Sequence, residues 1–171
     1  MNWKIVKHGD LSMTEGLRIA YLKDQHWPYG LESQILWMRD NIEADDVHLM
    51  GEKQDGEKID LLAYITLTNV KTLIDERQIN CIGVGGVCVD KSKQRSGLGK
   101  LLLREAERYI ISQEKTGILL CKDPLVPFYE KCGWKLLKYQ TAKVAENNYD
   151  HNIMLLDKEC CCSKIIIDKN F

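Results

Sequence analysis

The junction at residues 87–99, Val-Cys-Val-Asp-Lys-Ser-Lys-Gln-Arg-Ser-Gly-Leu-Gly, constrains the fold of this chain more than any other segment. Ile82, Val84, Val87 and Val89 form an alternating apolar run that ends in a polar turn. Gln94-Arg95-Ser96-Gly97-Leu98-Gly99 then leads into a segment where Leu98, Leu101, Leu102, Ala106, Tyr109 and Ile110 recur at helical spacing. Lys100, Arg104, Glu107 and Arg108 fall on the opposite face. Alternation predicts a strand and the helical period an amphipathic helix. The chain must therefore pass from strand through loop to helix within a few residues. The first N–H groups of a helix lack intrahelical partners and sit at the positive end of its dipole. Gly97 and Gly99 keep side chains out of the way of close backbone approach, and Arg95 adds a charge. Such a junction suits a diphosphate.

Its spelling excludes two common phosphate loops. A Walker loop needs Gly-x-x-x-x-Gly-Lys-Ser/Thr, but Leu101 follows Gly99-Lys100 and Gln94 stands where the first glycine belongs. The dinucleotide fingerprint also fails, because Gly83-Val84-Gly85-Gly86-Val87 is followed by Cys88 and lies within the predicted strand. What fits is Gln/Arg-x-x-Gly-x-Gly/Ala, which resembles the acetyl-CoA loop of the GNAT N-acetyltransferases. A second segment, Lys122 to Trp134, reads as a strand end, a short helix opened by prolines and a glycine stop at Gly133. It resembles the family's Phe-Tyr-Glu-Lys-x-Gly-Phe/Trp helix at Phe128, Tyr129, Glu130, Lys131, Gly133 and Trp134.

The resemblance runs from about Ile79 to Tyr139 and implies a mixed α/β fold. Its central sheet is expected to be mostly antiparallel, of about six or seven strands, flanked by about four helices. It implies acetyl-CoA as cosubstrate, held by Val87, Cys88, Val89, Gln94, Arg95, Ser96, Gly97, Leu98, Gly99 and Lys100. Backbone N–H groups around Val87 and Val89 would polarise the thioester carbonyl in the manner of an oxyanion hole, with Gly85-Gly86 a natural place for a bulge. Tyr129 would protonate the leaving thiolate. Many relatives carry an asparagine just before the tyrosine helix, where this chain has Lys122-Asp123-Pro124. The stretch from the long strand to the loop is similar to that of aminoglycoside acetyltransferases.

Along the chain, Trp3 to Val6 predicts a first strand. Ser12-x-x-Glu15 spells a capping box ahead of a helix with Leu17, Ala20 and Tyr21 on its stripe, running to about Asp24. Leu31 to Asn41 predicts a second helix with Leu31, Ile35 and Met38 on one side. Val47–Met50, Ile59–Val70, Ile79–Val89 and Ile118–Cys121 read as strands, with Lys71–Arg77 as a connection. Trp134–Tyr139 and Ile153–Asp157 are expected to close the sheet as an antiparallel pair. One acetyltransferase domain over residues 1–158 is expected, followed by an extension over 159–171. Its Ile165-Ile166-Ile167 can add an edge strand or pair with another subunit as a homodimer.

The chain has 171 residues, 44% of them hydrophobic, enough for one cored domain. A net charge of −1 gives no reason to expect a nucleic-acid partner. Seven cysteines without CxxC spacing or a leader peptide point to reduced thiols and a cytoplasmic setting. No apolar run approaches the roughly 20 residues of a membrane span. The adjacent Cys160-Cys161-Cys162 lack metal-site spacing, so no metal is expected.

Charge is uneven along the chain. Asp24 to Asp60 holds ten acidic residues against three basic ones, and Lys91 to Lys115 holds seven basic against three acidic. The basic stretch coincides with the loop. The acidic one covers the part that faces the acceptor in such domains and would favour a cationic amine. A toxin-like activity on charged transfer RNA would want a basic acceptor face instead. Trp27, Tyr29 and Trp37 either line an acceptor pocket or form core beneath the first two helices. For the base that deprotonates the acceptor, Asp75, Glu76, Cys81, Glu32 and His26 all stay open. His26 also reads as a loop residue packed on Trp27, and Cys88 and Cys121 as small core residues. The expected function is acetyl transfer to a small, cationic primary amine. The alternatives are a non-catalytic acyl-CoA sensor and a protein N-terminal or lysine acetyltransferase.

Overall fold

The computed structural model describes residues 1–156 and 160–171, which form two compact units. The first holds residues 1–68, 85–106 and 171. Its strands β1 (Asn2–Lys7), β2 (Val47–Asp55) and the leading part of β3 (Lys58–Ile74) pair antiparallel in sequence. The β2–β3 turn holds Gly56 at φ +60°, and the register shifts once, at Gly51/Glu52. Gly51 is required there, since a Cβ would lie 2.6 Å from the Trp3 ring.

Helix α1 (Met13–Asp24) opens on the expected capping box, with Ser12 and Glu15 satisfying each other's backbone N–H. Its buried stripe is Ile19, Ala20, Leu22 and Lys23, while the expected Leu17 and Tyr21 face solvent. Helix α2 (Leu31–Asn41) buries Gln34 and Met38 and exposes Ile35, so Ala20, Met38 and the half-buried Leu31 face inward as expected while Leu17, Tyr21 and Ile35 do not. Ile19, Ala20, Leu22, Met38, Ile42, Met50, Leu61, Tyr64 and Cys88 make the core that joins these helices to the strands. Removing such side chains from water is the main force holding the helices down.

The second unit holds residues 69–84 and 107–170. Through it the sheet runs in the order β6-β9-β5-β4-β3-β10-β7-β8. The strands are the ends of β3 and β4 (Arg77–Val89) with β5 (Thr116–Cys121), β6 (Trp134–Leu136), β7 (Lys138–Val144), β8 (Asn147–Asn148), β9 (Asn152–Leu156) and β10 (Cys161–Ile167). The β4–β5 and β7–β10 pairs are parallel, and β5–β9, β6–β9, β3–β10 and β7–β8 are antiparallel. Helix α3 (Leu98–Ser112) starts in the first unit and ends in the second, and α4 (Val126–Glu130) lies in the second.

The mixed, mostly antiparallel sheet and four helices match expectation, but ten strands are described instead of six or seven. The surplus has a local cause. The chain breaks at Leu137, so the single strand expected over Trp134–Tyr139 becomes β6 and β7, and β8 turns back on β7. The β6–β9 pair is antiparallel as expected. The tail forms β10, held between β3 and β7 with neighbours on both sides rather than at an edge. Asp157 and the boundary expected at 158–159 lie outside the described residues. Among the described residues no helix is long and apolar enough to cross a membrane.

Candidate active site

In the first unit, β4 carries the strand side of the site. Gly86 has φ +59°, a left-handed conformation that glycine adopts without penalty. A methyl there would lie 3.3 Å from Thr66 Oγ1 and 3.4 Å from Tyr64 Cε1. At Gly85 it would lie 2.5 Å from the carbonyl carbon of Phe171, so this backbone stretch tolerates no side chain. Val87 and Val89 are half-buried and Cys88 is buried. Burial pushes the Cys88 thiol up to about 12, against the pull of Lys23, so it remains a protonated core residue.

The loop after Val89 is built by side chains that hold the backbone in place. Asp90 Oδ1 accepts from Ser92 N–H at 2.9 Å, and Asp90 Oδ2 accepts from Gln25 Nε2 at 3.0 Å. Hydrogen bonds from Ser92 and Gln25 hold the Asp90 carboxyl below its ordinary range. Gln25 Oε1 accepts from Lys91 N–H at 3.0 Å, so the side chain at the C-cap of α1 fixes the start of the turn at Asp90 and Lys91. Ser96 Oγ donates to Lys93 C=O at 2.6 Å. Arg95 stands at φ +61° and Gly97 at φ +86°, and no atom lies within 4 Å of where a Gly97 Cβ would be.

Lys100 and Leu101 return their N–H groups to Gly97 C=O at 3.1 and 3.2 Å, leaving those of Gly97, Leu98 and Gly99 ahead of them for a ligand. Gln94, Arg95, Ser96, Gly97 and Lys100 are exposed, Gly99 is half-buried, and Leu98 anchors the helix in the core. The expected loop residues thus come together as an open, cationic cradle that fits a diphosphate.

On the other side of Gly86 is a cavity of about 330 Å³, lined by Lys23, Trp27, Tyr29, Gln34, Trp37 and Phe171 with Ser33. The three aromatics named from the sequence therefore form a pocket wall, exposed by 37%, 73% and 42% for Trp27, Tyr29 and Trp37. Lys23, Gln34 and Phe171 were not foreseen. The signal for Lys23 was present, since it follows Ile19 by four residues and Ala20 by three, which turns it inward. Gln34 Nε2 donates to Trp27 C=O at 2.6 Å and so fixes the wall.

Beneath Gly86 a buried chain of hydrogen bonds runs from Thr66 Oγ1 to Tyr64 Oη (2.7 Å), to His48 Nδ1 (2.8 Å), and from His48 Nε2 to His8 Nδ1 (2.9 Å). His26 Nε2 lies 2.8 Å from Val89 C=O, which makes that nitrogen the donor, and its ring is tilted on Trp27. The ring is thus a loop-fixing group, and Glu32 is exposed in the first turn of α2.

In the second unit, Tyr129 on α4 is 6% exposed, and its hydroxyl makes no hydrogen bond among the described residues. Burial, with Cys121 and Cys132 nearby, pushes the phenol up to about 12, so it keeps its proton at neutral pH. Asp123, in the stretch where many relatives carry an asparagine, accepts from Asn152 Nδ2 at 2.6 Å and ties the helix entry to β9. Asp75 accepts from the N–H groups of Ser163 and Lys164, both at 2.9 Å, and ties the β3–β4 turn to β10. Cys81 is buried and Glu76 exposed.

A family model described as the acetyltransferase (GNAT) family matches residues 14–134. Among solved structures, Escherichia coli ElaA is 18% identical with a TM-score of 0.65, over 91% of this chain and 98% of its own. The aminoglycoside 6'-N-acetyltransferase from Enterococcus faecium is 15% identical with a TM-score of 0.65, over 91% and 96%. A GNAT family acetyltransferase from Brucella melitensis, in complex with acetyl-CoA, is 20% identical with a TM-score of 0.54, over 78% and 83%. At these identities the likeness is one of fold.

Proposed function

Because the chain belongs to the acetyltransferase (GNAT) family, and is thus an N-acetyltransferase using acetyl-CoA, we propose that it acetylates a primary amine of a small acceptor by direct transfer. The observation that carries this reading is Gly86. It lines the aromatic pocket, and the strand that holds it runs on through Val87, Cys88 and Val89 into the diphosphate loop. One continuous backbone therefore serves an acceptor pocket at one point and a cofactor cradle at the next. Gln94, Arg95, Ser96, Gly97, Leu98, Gly99 and Lys100 would hold the phosphates through N–H groups and side-chain cations. Backbone N–H groups around Val87 and Val89 would polarise the thioester carbonyl.

The ammonium first loses a proton to water, and the neutral amine nitrogen attacks the thioester carbonyl; as the C–S bond breaks, the nitrogen of the new amide releases its second proton to solvent and the departing thiolate takes one from a general acid. In this reading Tyr129 supplies that proton. What supports the role is that the hydroxyl makes no hydrogen bond among the described residues and so is available to a ligand, and that the phenol is protonated at neutral pH. No covalent cysteine is needed, and Cys88 with its raised thiol is poorly suited to be one.

Titration calorimetry with acetyl-CoA, followed by an assay of thiol release against a panel of amines, tests the reading. Wild type should bind in the micromolar range, Gly97→Glu should abolish binding, and Tyr129→Phe should bind normally but turn over several-fold more slowly. Binding unchanged by Gly97→Glu would remove the loop from the site. Tight binding with no turnover of any amine would turn the protein into an acyl-CoA sensor.

A further inference from the structure

Gly85 and Gly86 both lack a side chain, but for different reasons. Gly86 needs its left-handed φ of +59°, whereas Gly85 lies outside that region, so what it supplies is room. One residue takes that room. The three atoms nearest to where a Gly85 Cβ would stand are the carbonyl carbon, carbonyl oxygen and Cα of Phe171, at 2.5, 2.9 and 3.7 Å. Any side chain at position 85 would unseat Phe171.

Phe171 belongs to the first unit, as do Gly85, Gly86 and the rest of the aromatic cavity. It is half-buried although no helix or strand includes it. In the second unit the chain is fixed three residues earlier. There Asp168 N–H donates to Lys71 C=O at 3.1 Å, and Lys71 N–H donates to Asp168 Oδ1 at 3.0 Å.

Shape, rather than charge, is what this cavity can select by. Lys23 lines it and the Phe171 carbonyl lies beside it on Gly85, so polar groups of both signs border it. Trp27, Tyr29 and Trp37 offer flat apolar faces, and Phe171 is a fourth aromatic residue on the wall. At about 330 Å³ the cavity is at the small end of ligand pockets, which run from about 300 to 1,000 Å³. The residue that closes it therefore decides which acceptors enter.

We propose that Phe171 is a specificity-determining residue of the acceptor site, its ring closing the cavity and limiting the acceptor to an amine that carries a single small ring. This rests on the reading that the cavity holds the amine to be acetylated, and it adds the residue that sets the amine's size. The acceptor ring lies among Trp27, Tyr29 and Trp37, its amine points toward Gly86, and Phe171 stands where a second ring would go. Phe171 falls outside residues 14–134, which match the family model, so this limit comes from the chain's own tail.

The test uses 3-phenylpropylamine and 3,3-diphenylpropylamine, which differ by one phenyl ring, the group that Phe171→Ala removes. With the full chain, saturating acetyl-CoA and thiol release as readout, wild-type kcat/KM should favour the single-ring amine by about tenfold or more, the usual cost of forcing a ring into filled space. Phe171→Ala should cut that preference by about tenfold or more, through a lower KM for the two-ring amine. Phe171→Leu, which keeps much of the bulk, should stay closer to wild type than Phe171→Ala does. Should Phe171→Ala not fold, Gly85→Ala takes its place, because its methyl unseats Phe171, and the same fall in preference is expected. No preference in wild type, or one unchanged by the substitution, would overturn the proposal while leaving the transferase reading intact. An equal rise for both amines would also overturn it, since Phe171 would then be a plug and not a wall. If neither amine releases thiol, titration calorimetry with the same pair decides. Tighter binding of the single-ring amine that Phe171→Ala abolishes would uphold the size limit and sink the transferase reading. Binding without that preference, or none, would sink the size limit.

Discussion

At the scale of single residues, the most telling group is His48, which is fully buried and uses both ring nitrogens. Burial, with the neighbouring His8 and Lys23, pulls its imidazole down to about 4, while Glu15 opposes. The folded protein therefore wants His48 neutral, whereas the unfolded chain takes up the proton near pH 6.5. Between those values the unfolded state binds more protons, so the stability this group contributes is complete above about pH 6.5. It drains away as pH falls toward 4. Urea unfolding should thus lose on the order of 2 kcal/mol of stability from pH 7 to 4.5 through this group. His48→Gln should be less stable at pH 7 but show a flatter slope over that window, and an unchanged slope would move the titration to another group. His48 was not legible as a buried ring, because it lies in a strand whose neighbours give no sign of how deep it sits. The turn into α3 and the short helix of Tyr129 were legible as elements because they depend on local spelling, Arg-Ser-Gly-Leu-Gly and Phe-Tyr-Glu-Lys. Lys23 was passed over although its spacing from Ile19 and Ala20 turns it inward, because a lysine reads first as a surface residue.

At the scale of elements, strands were read more accurately than helix faces. β3 and β4 are long and buried on both sides over much of their length, so their apolar runs were easy to find, β4 by the alternation of Ile82, Val84, Val87 and Val89. α3 was read better, with Leu98, Leu102, Ala106 and Ile110 buried as expected, although Leu101 is exposed and Leu103 is buried in its place. α1 and α2 carry Leu17, Tyr21 and Ile35 on solvent and Lys23 and Gln34 within, so an apolar stripe drawn from composition falls on the wrong side. The two strand glycines show how an element is shaped for the site. Gly86→Ala would force an L-residue to φ +59° and press its methyl to 3.3 Å from Thr66 Oγ1. That should cost about 1–2 kcal/mol of stability and disturb the Thr66–Tyr64–His48 chain. Acetyl-CoA turnover should fall by more than the stability loss alone would cause. A variant with wild-type unfolding and wild-type kcat/KM would show that the left-handed turn in β4 is dispensable.

At the scale of the whole molecule, the sequence separates a domain from a tail, but the fold does not. Cys161–Ile167 pairs with β7 along Cys161↔Lys138 to Ile167↔Val144 and with β3 at Ile165↔Ile74 to Ile167↔Thr72. Ile165 and Ile167 are fully buried, whereas an extension laid on an edge would leave one row of its backbone groups open. Nothing in three isoleucines says which strands will flank them, since that depends on β7 leaving a partner slot beside β3. The tail therefore belongs to the cooperative core of the second unit. Ile165→Ala removes three methyl or methylene carbons from a site with no solvent. By the usual cost of such cavities it should lower the unfolding free energy by about 2–4 kcal/mol. Urea denaturation followed by far-ultraviolet circular dichroism checks this. One cooperative transition at a lower midpoint is the expected result. An unshifted midpoint, or a separate early phase, would mean that β10 is an add-on, and a sheet without it would have to close on β3.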